Sequence, residues 1–379
     1  STTMTFRIAL SNPSHEDITI AYSTADGTAT ALNGDYTPTS GTLTILAGET
    51  EATIDVQING DTTFENNETF LLNGTVTSGT VSGSTTFAGI GTILNDDGVP
   101  TITFINNDNG ATGGSASVIE GNSGTALMTF RIVLSNASAE DITFSYSTSN
   151  GTATLADNDY VQATGSVTIT AGQTEAFIII QINGDTKFEA DETFTINATV
   201  TSGNVVGIGS FVGTGTILND DTIPTVSFVN NDNGATAGSA SANEGNSGFT
   251  PIIFKIVLSN PTNEDITFTY STADGTATLL DNDYVQVING TVTILAGQTE
   301  AFITINAVGD TKFEPDETFT LNATVTSGNV SGSSSFVGTG TILNDDGVPT
   351  ISFINNDNGA TGGSASTLEG NSGIALMTF

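Results

Sequence analysis

The 379-residue sequence has no cysteine, no tryptophan, one histidine, eight prolines and only five lysines and arginines. Without cysteine there is no disulfide framework and no thiolate chemistry. Five basic residues against 41 acidic ones leave a net charge of −36. A nucleic-acid partner is therefore not expected, because its phosphates need Lys and Arg to displace their counterions. Anionic membrane surfaces are disfavoured on the same ground. The longest apolar run, 176–180, is far short of the ~18 residues of a membrane span, so no membrane insertion is expected in this segment. Neither an initiator methionine nor a signal peptide opens the chain, which reads as a piece of something longer.

What is present argues for folded β structure. A hydrophobic content of 37% with 21 phenylalanines opposes the disorder that so acidic a chain would otherwise suggest. The 43 glycines, with abundant Thr, Ser and Asn, suit short strands joined by tight turns.

Internal similarity decides the organisation. Phe6, Phe130, Phe254 and Phe379 recur at steps of 124, 124 and 125 residues, and Glu68, Glu192 and Glu317 keep the same step. A unit of this length is a domain in its own right. The expected domains are 1–98, which lacks its first strand segment, then 99–222 and 223–347, with 348–379 supplying the first strands of a further repeat. Two arrangements fit that last piece. The chain is either a window onto a longer array, or its C-terminal strands complete the first domain of a neighbouring molecule. The Met-Thr-Phe strand occurs at both ends, which favours the window.

Within the second repeat, Met128, Phe130, Ile132 and Leu134 alternate with more polar residues at the period of a half-buried strand. Ile142, Phe144 and Tyr146 repeat the pattern, and 101–105, 167–169, 176–182, 193–200 and 210–218 complete the set, with 106–117 read as a loop. No helical stripe is present. The expected fold is all-β: tandem immunoglobulin-like antiparallel β-sandwiches of about seven strands each, in an elongated rod. The linkers at Pro100, Pro224 and Pro349 are minimal, so stiff joints are expected.

The acids are concentrated. The string Gly-Asp-Thr-Lys-Phe-Glu-Ala-Asp-Glu-Thr-Phe at 184–194 carries Asp185, Glu189, Asp191 and Glu192 around a single Lys187. Its copies carry Asp61, Glu65 and Glu68, and Asp310, Lys312, Glu314, Asp316 and Glu317. Carboxylates this close repel one another unless a cation sits among them. Further acids stand at Glu120, Asp157, Asp159, Asp220 and Asp221 in the second repeat and at Glu244, Asp281, Asp283, Asp345 and Asp346 in the third. The first has Asp35, Asp96 and Asp97, and Glu369 lies in the final piece. The nine acids of the second repeat suffice for about two ions that take six to eight oxygens each. Zinc would want His or Cys, and magnesium prefers to keep its waters, so calcium is the expected cofactor. The competing reading is a solvated acidic rim that keeps a β-rich protein soluble.

Together these motifs resemble the Calx-beta family: a Glu in the first strand segment, Gly-Thr-Ala-Thr followed by Asp-Tyr, Phe-Glu-x-Asp-Glu-Thr-Phe, and a closing Ile-Leu-Asn-Asp-Asp. The resemblance implies an immunoglobulin-like sandwich whose loops at one end hold calcium ions. It makes Glu120, Asp159, Asp185, Glu189, Glu192, Asp220 and Asp221 ligands, with the Lys187 carbonyl a further one. The first repeat departs from the pattern, with Asn33 where the second has Asp157 and Asn66-Asn67 where it has Ala190-Asp191.

The expected role is a calcium-stiffened structural segment of an extracellular or cell-surface filament, its partners being calcium, neighbouring repeats and copies of itself in a fibre. An adhesin stalk presenting glycan- or protein-binding surfaces is the alternative, and calcium sensing a third. No enzymatic activity is expected, because one acidic cluster recurs in successive domains without an aromatic-lined cleft.

Overall fold

The computed structural model describes residues 1–106, 113–207, 209–229, 238–354, 362, 365–368, 372–374 and 376. Among these there is no helix, and hence none long and apolar enough to cross a membrane. The chain divides into two compact units, residues 1–185 with 190–220, and 186–189 with 221–379.

The described residues of the first unit hold fourteen strands. Six belong to the first repeat: β1 (Thr2–Ala9), β2 (Ile18–Ala25), β3 (Ser40–Ile45), β4 (Glu51–Ile58), β5 (Glu68–Ser78) and β6 (Thr86–Ile93). They form a β1-β4 pair and a β3-β2-β5-β6 sheet. The second repeat contributes β7 (Ile102–Ile105), β8 (Ser115–Ile119), β9 (Thr125–Leu134), β10 (Ile142–Asn150), β11 (Thr164–Ile169), β12 (Glu175–Asn183), β13 (Glu192–Ser202) and β14 (Ser210–Leu218). These make a three-stranded sheet, β12-β9-β7, and a five-stranded one, β11-β10-β13-β14-β8. The alternation read in the sequence is what the sandwich buries: Met128, Phe130, Ile132 and Leu134 enter one core with Phe144, Phe194 and Ile196, as expected of strands with one face turned inward.

The second unit repeats this plan with β15 (Val226–Val229), β16 (Ser239–Asn243), β17 (Gly248–Leu258), β18 (Ile266–Asp274), β19 (Gly290–Ile294), β20 (Glu300–Gly309), β21 (Glu317–Ser327) and β22 (Ser335–Leu343). Its sheets are β15-β17-β20 and β16-β22-β21-β18-β19, packed about a core that includes Ile252, Phe254, Phe268 and Phe319.

Among the described residues the second and third repeats thus have eight strands each. The additional one, β8 or β16, lies in or beside the stretch read as loop. It pairs in parallel with the last strand of its repeat, β8 with β14 and β16 with β22, so the larger sheets are not purely antiparallel.

Candidate metal centre

The Gly-Thr-Ala-Thr motif fixes the floor of the acidic site. A Cβ on Gly275 would lie 2.3 Å from the Thr318 carbonyl oxygen, so the loop rests directly on β21 beside Glu317. Ala277 is fully buried. The Thr276 hydroxyl accepts a hydrogen bond from the Thr318 amide at 2.8 Å. The Thr278 amide then donates to Asp283 Oδ2 at 2.7 Å, aiming that carboxylate inward. Tyr284, next in sequence, stacks on Phe319 with ring centroids 4.7 Å apart and plugs the core beneath. The first and second repeats reproduce this: the Thr30 and Thr154 amides donate to Asp35 and Asp159 at 2.6 Å, and Tyr36 and Tyr160 stack on Phe70 and Phe194.

Two carboxylate groups result in the third repeat, Glu244 with Asp345 and Asp346, and Asp283 with Glu314 and Glu317. In each group the three oxygens lie within 4.8 Å of one another. Two oxygens on opposite sides of a calcium ion stand about 4.6–5.2 Å apart, so the spacing fits a shared ion. The first group stands on the parallel pair, because Glu244 follows β16 and Asp345 follows β22. The Gly245 amide donates to Asp345 Oδ1 at 3.1 Å, and Asn246 Nδ2 to Asp346 Oδ1 at 3.0 Å. A Cβ on Gly309 would come within 2.1 Å of the Gly245 carbonyl, so glycine is needed where these loops cross.

The electrostatics are those of crowded anions. Burial, and then the charges of Asp310, Glu314, Asp346 and Asp345, push Glu244 up to about 7. Burial, and then a hydrogen bond with Asp283 and its charge, push Glu317 to about 7. Asp346 is raised by burial and its acidic neighbours. Most telling, Glu244 Oε1 and Asp346 Oδ2 are buried with no hydrogen-bond partner among the described residues. A buried carboxylate oxygen left unpaired is costly, and a cation is the missing partner that this donor set accepts. With oxygen donors only, the group fits a hard ion such as calcium.

The first repeat assembles one such group, Asp35 with Glu65 and Glu68. Burial, and then Asp35, push Glu68 up to about 7. Glu65 is raised by burial and then by Asp35, Asp61 and Asp97. In the second repeat the first unit brings Glu120 to Asp220, and Asp159 to Glu192, each pair within 4.8 Å. Lys187, Glu189 and Asp221 fall in the second unit, where Lys187 Nζ meets Glu189 Oε1 at 2.6 Å. Lys312 pairs with Glu314 in the same way, so one carboxylate of the site already has a cation.

Other sequence candidates are placed differently. Asp157 and Asp281 are exposed and accept hydrogen bonds from Thr154 and Thr278 in the turn, outside the three-carboxylate groups. Asp191 and Asp316 accept the Asn219 and Asn344 amides at 3.1 Å, a task Asn67 performs in the first repeat. Asp61 and Asp310 turn back onto the amides of Thr63 and Lys312 and contribute charge from the rim, and Asp96 is exposed. Asp185 lies at the boundary of the first unit. Glu369 lies outside the described residues, as do the Asn-Asp-Asn-Gly strings at 107–110 and 231–234.

One positioning residue went unassigned in the sequence. Asn344 Oδ1 accepts the Glu314 amide at 3.2 Å while its Nδ2 donates to the Asp346 carbonyl at 2.9 Å. Asn95 does the same between Glu65 and Asp97. The signal was the invariant Asn of the three Ile-Leu-Asn-Asp-Asp copies.

The sequence model of the Calx-beta domain matches residues 1–84, 106–209 and 238–334, well over half of the chain. The chain belongs to the Calx-beta domain family. Calx-beta is a calcium-binding domain family rather than an enzyme family, and here it is present in tandem. The chain is similar to the crystal structure of CBD12 from CALX1.2, with 21% identity over 59% of this chain and 79% of that one and a TM-score of 0.27. It is also similar to the apo-form Calx CBD1 domain, with 26% identity over 33% of this chain and 100% of that one and a TM-score of 0.27. A third similar structure, the calcium binding domain CBD12 of CALX1.1, shares 22% identity over 55% and 77% of the two chains, with a TM-score of 0.26. No curated protein matches the chain.

Proposed function

We propose that this chain is a calcium-stiffened structural segment of an extracellular or cell-surface filament or long surface protein. The observation that carries the reading is the buried, unpartnered pair Glu244 Oε1 and Asp346 Oδ2 within one three-carboxylate group. Bound calcium supplies the positive charge that lets Glu244, Asp345 and Asp346 ionise side by side. The protein's own residues do the rest. Asn344 and Gly245 hold the ligand loops, and the buried Tyr284 and Ala277 make their floor rigid.

With nine acids in one repeat, cation removal loosens the loops through mutual repulsion. Because Glu65 adjoins Phe64, which bonds to the next repeat within the first unit, the ion and the inter-repeat joint share one loop. The carboxylates bind rather than catalyse on this reading.

Calorimetric titration of the whole chain with calcium, followed by small-angle scattering with and without chelator, tests the proposal. Saturable calcium binding and a chain that shortens or bends on chelation are expected. No calcium heat at millimolar concentration, or unchanged dimensions, would count against it. Millimolar rather than micromolar affinity would favour a permanent staple over a sensor.

A further inference from the structure

The second repeat leaves one sheet edge apolar where the corresponding edges of the other two are guarded. β12 lies at the edge of the β12-β9-β7 sheet, and the eight strands of the repeat leave that edge uncovered. Residues 159–161 reach only its last positions: the Val161 amide donates to the Gln181 carbonyl at 2.9 Å and the Asn183 amide to the Asp159 carbonyl at 3.0 Å. Backbone groups alternate in direction along a strand, so Phe177 and Ile179 turn theirs toward the same edge. No strand among the described residues pairs with them there. Their side chains lie on the outer face, because Ala176, Ile178 and Ile180 fill the core. Phe177 is 45% and Ile179 54% exposed, and Leu127, diagonal to Ile179 on β9, is 58% exposed.

The matching positions elsewhere are polar or covered. In the first repeat Thr53, Asp55 and Thr3 stand where Phe177, Ile179 and Leu127 do, and Asp55 accepts a hydrogen bond from Thr5. A charge at such a place discourages pairing with another strand. In the third repeat Thr304 replaces Ile179, and Lys255 Nζ lies over the Phe302 ring, 5.7 Å from its centroid. In the second, Arg131 stands opposite Phe177 but is neutralised by Glu175 through two bonds of 2.8 and 2.6 Å.

We propose that β12 pairs antiparallel with β12 of a second copy of this chain, Ile178 facing its own copy across a twofold axis. In this register Phe177 stands opposite Ile179 of the other copy, and the reverse. Each of these two pairs exchanges two backbone hydrogen bonds, and four apolar side chains meet on the outer face. Charge selects both the partner and the register. A chain of net charge −36 repels its own copies over most of its surface, whereas 176–180 contains no charged residue. Glu175 and its copy fall at opposite ends of the pair, about 20 Å apart at 3.2–3.4 Å per residue, each beside its own Arg131. Like surface meets like, so the assembly closes at two chains. The inference does not rest on calcium, since β12 carries none of the clustered carboxylates.

Analytical ultracentrifugation of the whole chain over a range of concentrations, with chelator and with calcium, tests it. A monomer–dimer equilibrium is expected in both conditions. Ile179→Lys, on an exposed residue, should weaken it at least tenfold, while Thr304→Lys, at the matching position of the third repeat, should leave it unchanged. The register has its own readout, because the chain has no cysteine. Oxidising an equal mixture of Phe177→Cys and Ile179→Cys chains should join unlike chains in preference to like ones, since only opposed residues come within the Cα separation that a disulfide spans. A chain that stays monomeric at all concentrations, association indifferent to Ile179→Lys, an equal loss from Thr304→Lys, or cross-linking without preference would overturn the proposal. Association seen only with calcium would overturn it too and leave the calcium reading standing.

Discussion

Phe64 and Ala139 are joined across two repeats of the first unit: the Ala139 amide donates to the Phe64 carbonyl at 2.9 Å, and the Phe64 amide donates to Ala137 at 2.9 Å. Asn66 adds a bond to Glu140 at 3.1 Å. Phe188 makes the corresponding bonds to Pro261 and Asn263 inside the second unit. Glu65, the neighbour of Phe64, is one of the site carboxylates. Hydrogen exchange at the Phe64 and Ala139 amides should therefore be slow with calcium and at least tenfold faster with chelator. Equal rates would separate the joint from the ion.

Glu244→Gln removes one charge from a crowded group. Calcium affinity of the third repeat should fall at least tenfold, which is about 1.4 kcal/mol. In chelator the same variant should melt no lower than the parent, because repulsion has been relieved. Calorimetry and thermal melts read the two effects separately, and a variant that binds calcium undiminished would exclude Glu244 as a ligand.

The pH dependence has opposite signs without and with calcium. Glu68, Glu244 and Glu317 titrate near 7 in the fold and near 4.5 in the unfolded chain. The folded state therefore binds the extra protons between those values. Their stabilisation is fully present below about 4.5 and is lost as pH rises through about 7. In chelator the melting temperature should fall from pH 5 to pH 8, while the increment added by calcium should grow over the same interval as the ion replaces the protons. A chelated protein that gains stability on going from pH 5 to pH 8 would contradict this.

Asn344 and Asp316 provide a matched pair. Asn344→Ala loses both the acceptor for Glu314 and the donor to Asp346, which should cost about 1–2 kcal/mol and weaken calcium binding. Asp316→Asn keeps its acceptor oxygen, as Asn67 does in the first repeat, and should leave both nearly unchanged. A calcium titration in which Asp316→Asn is the more damaging variant would mark Asp316 as a ligand.

Gly151→Ala places a methyl group 2.3 Å from the Thr193 carbonyl oxygen. The backbone must move, so a loss of about 1–3 kcal/mol is expected. Chemical denaturation of the chain measures it, and a neutral result would mean the loop yields freely.

The strands were legible wherever large apolar residues alternate, because Met128, Phe130, Ile132 and Leu134 had to face one core. β8 was not: Ser115–Ile119 is short and built mostly of small residues, and its parallel partner lies about 100 residues away, which no local period encodes. Among the acids, Asp157 and Asp159 are two residues apart in sequence but differently placed in the fold. Asn158, at φ 68°, turns the chain between them, so one faces solvent while the other is buried. Asp191 and Asp316 each accept a backbone amide outside the three-carboxylate groups, a placement their charge in the sequence does not reveal. Asn344 escaped notice because an uncharged residue carries no obvious metal signal.

The pairing of β16 with β22 has a mechanical consequence. The first of these strands enters near the start of its repeat and the second leaves near the end, and they run in the same direction. Tension applied along the chain pulls them past each other lengthwise, so their five paired positions share the load and must give way together instead of unzipping one by one.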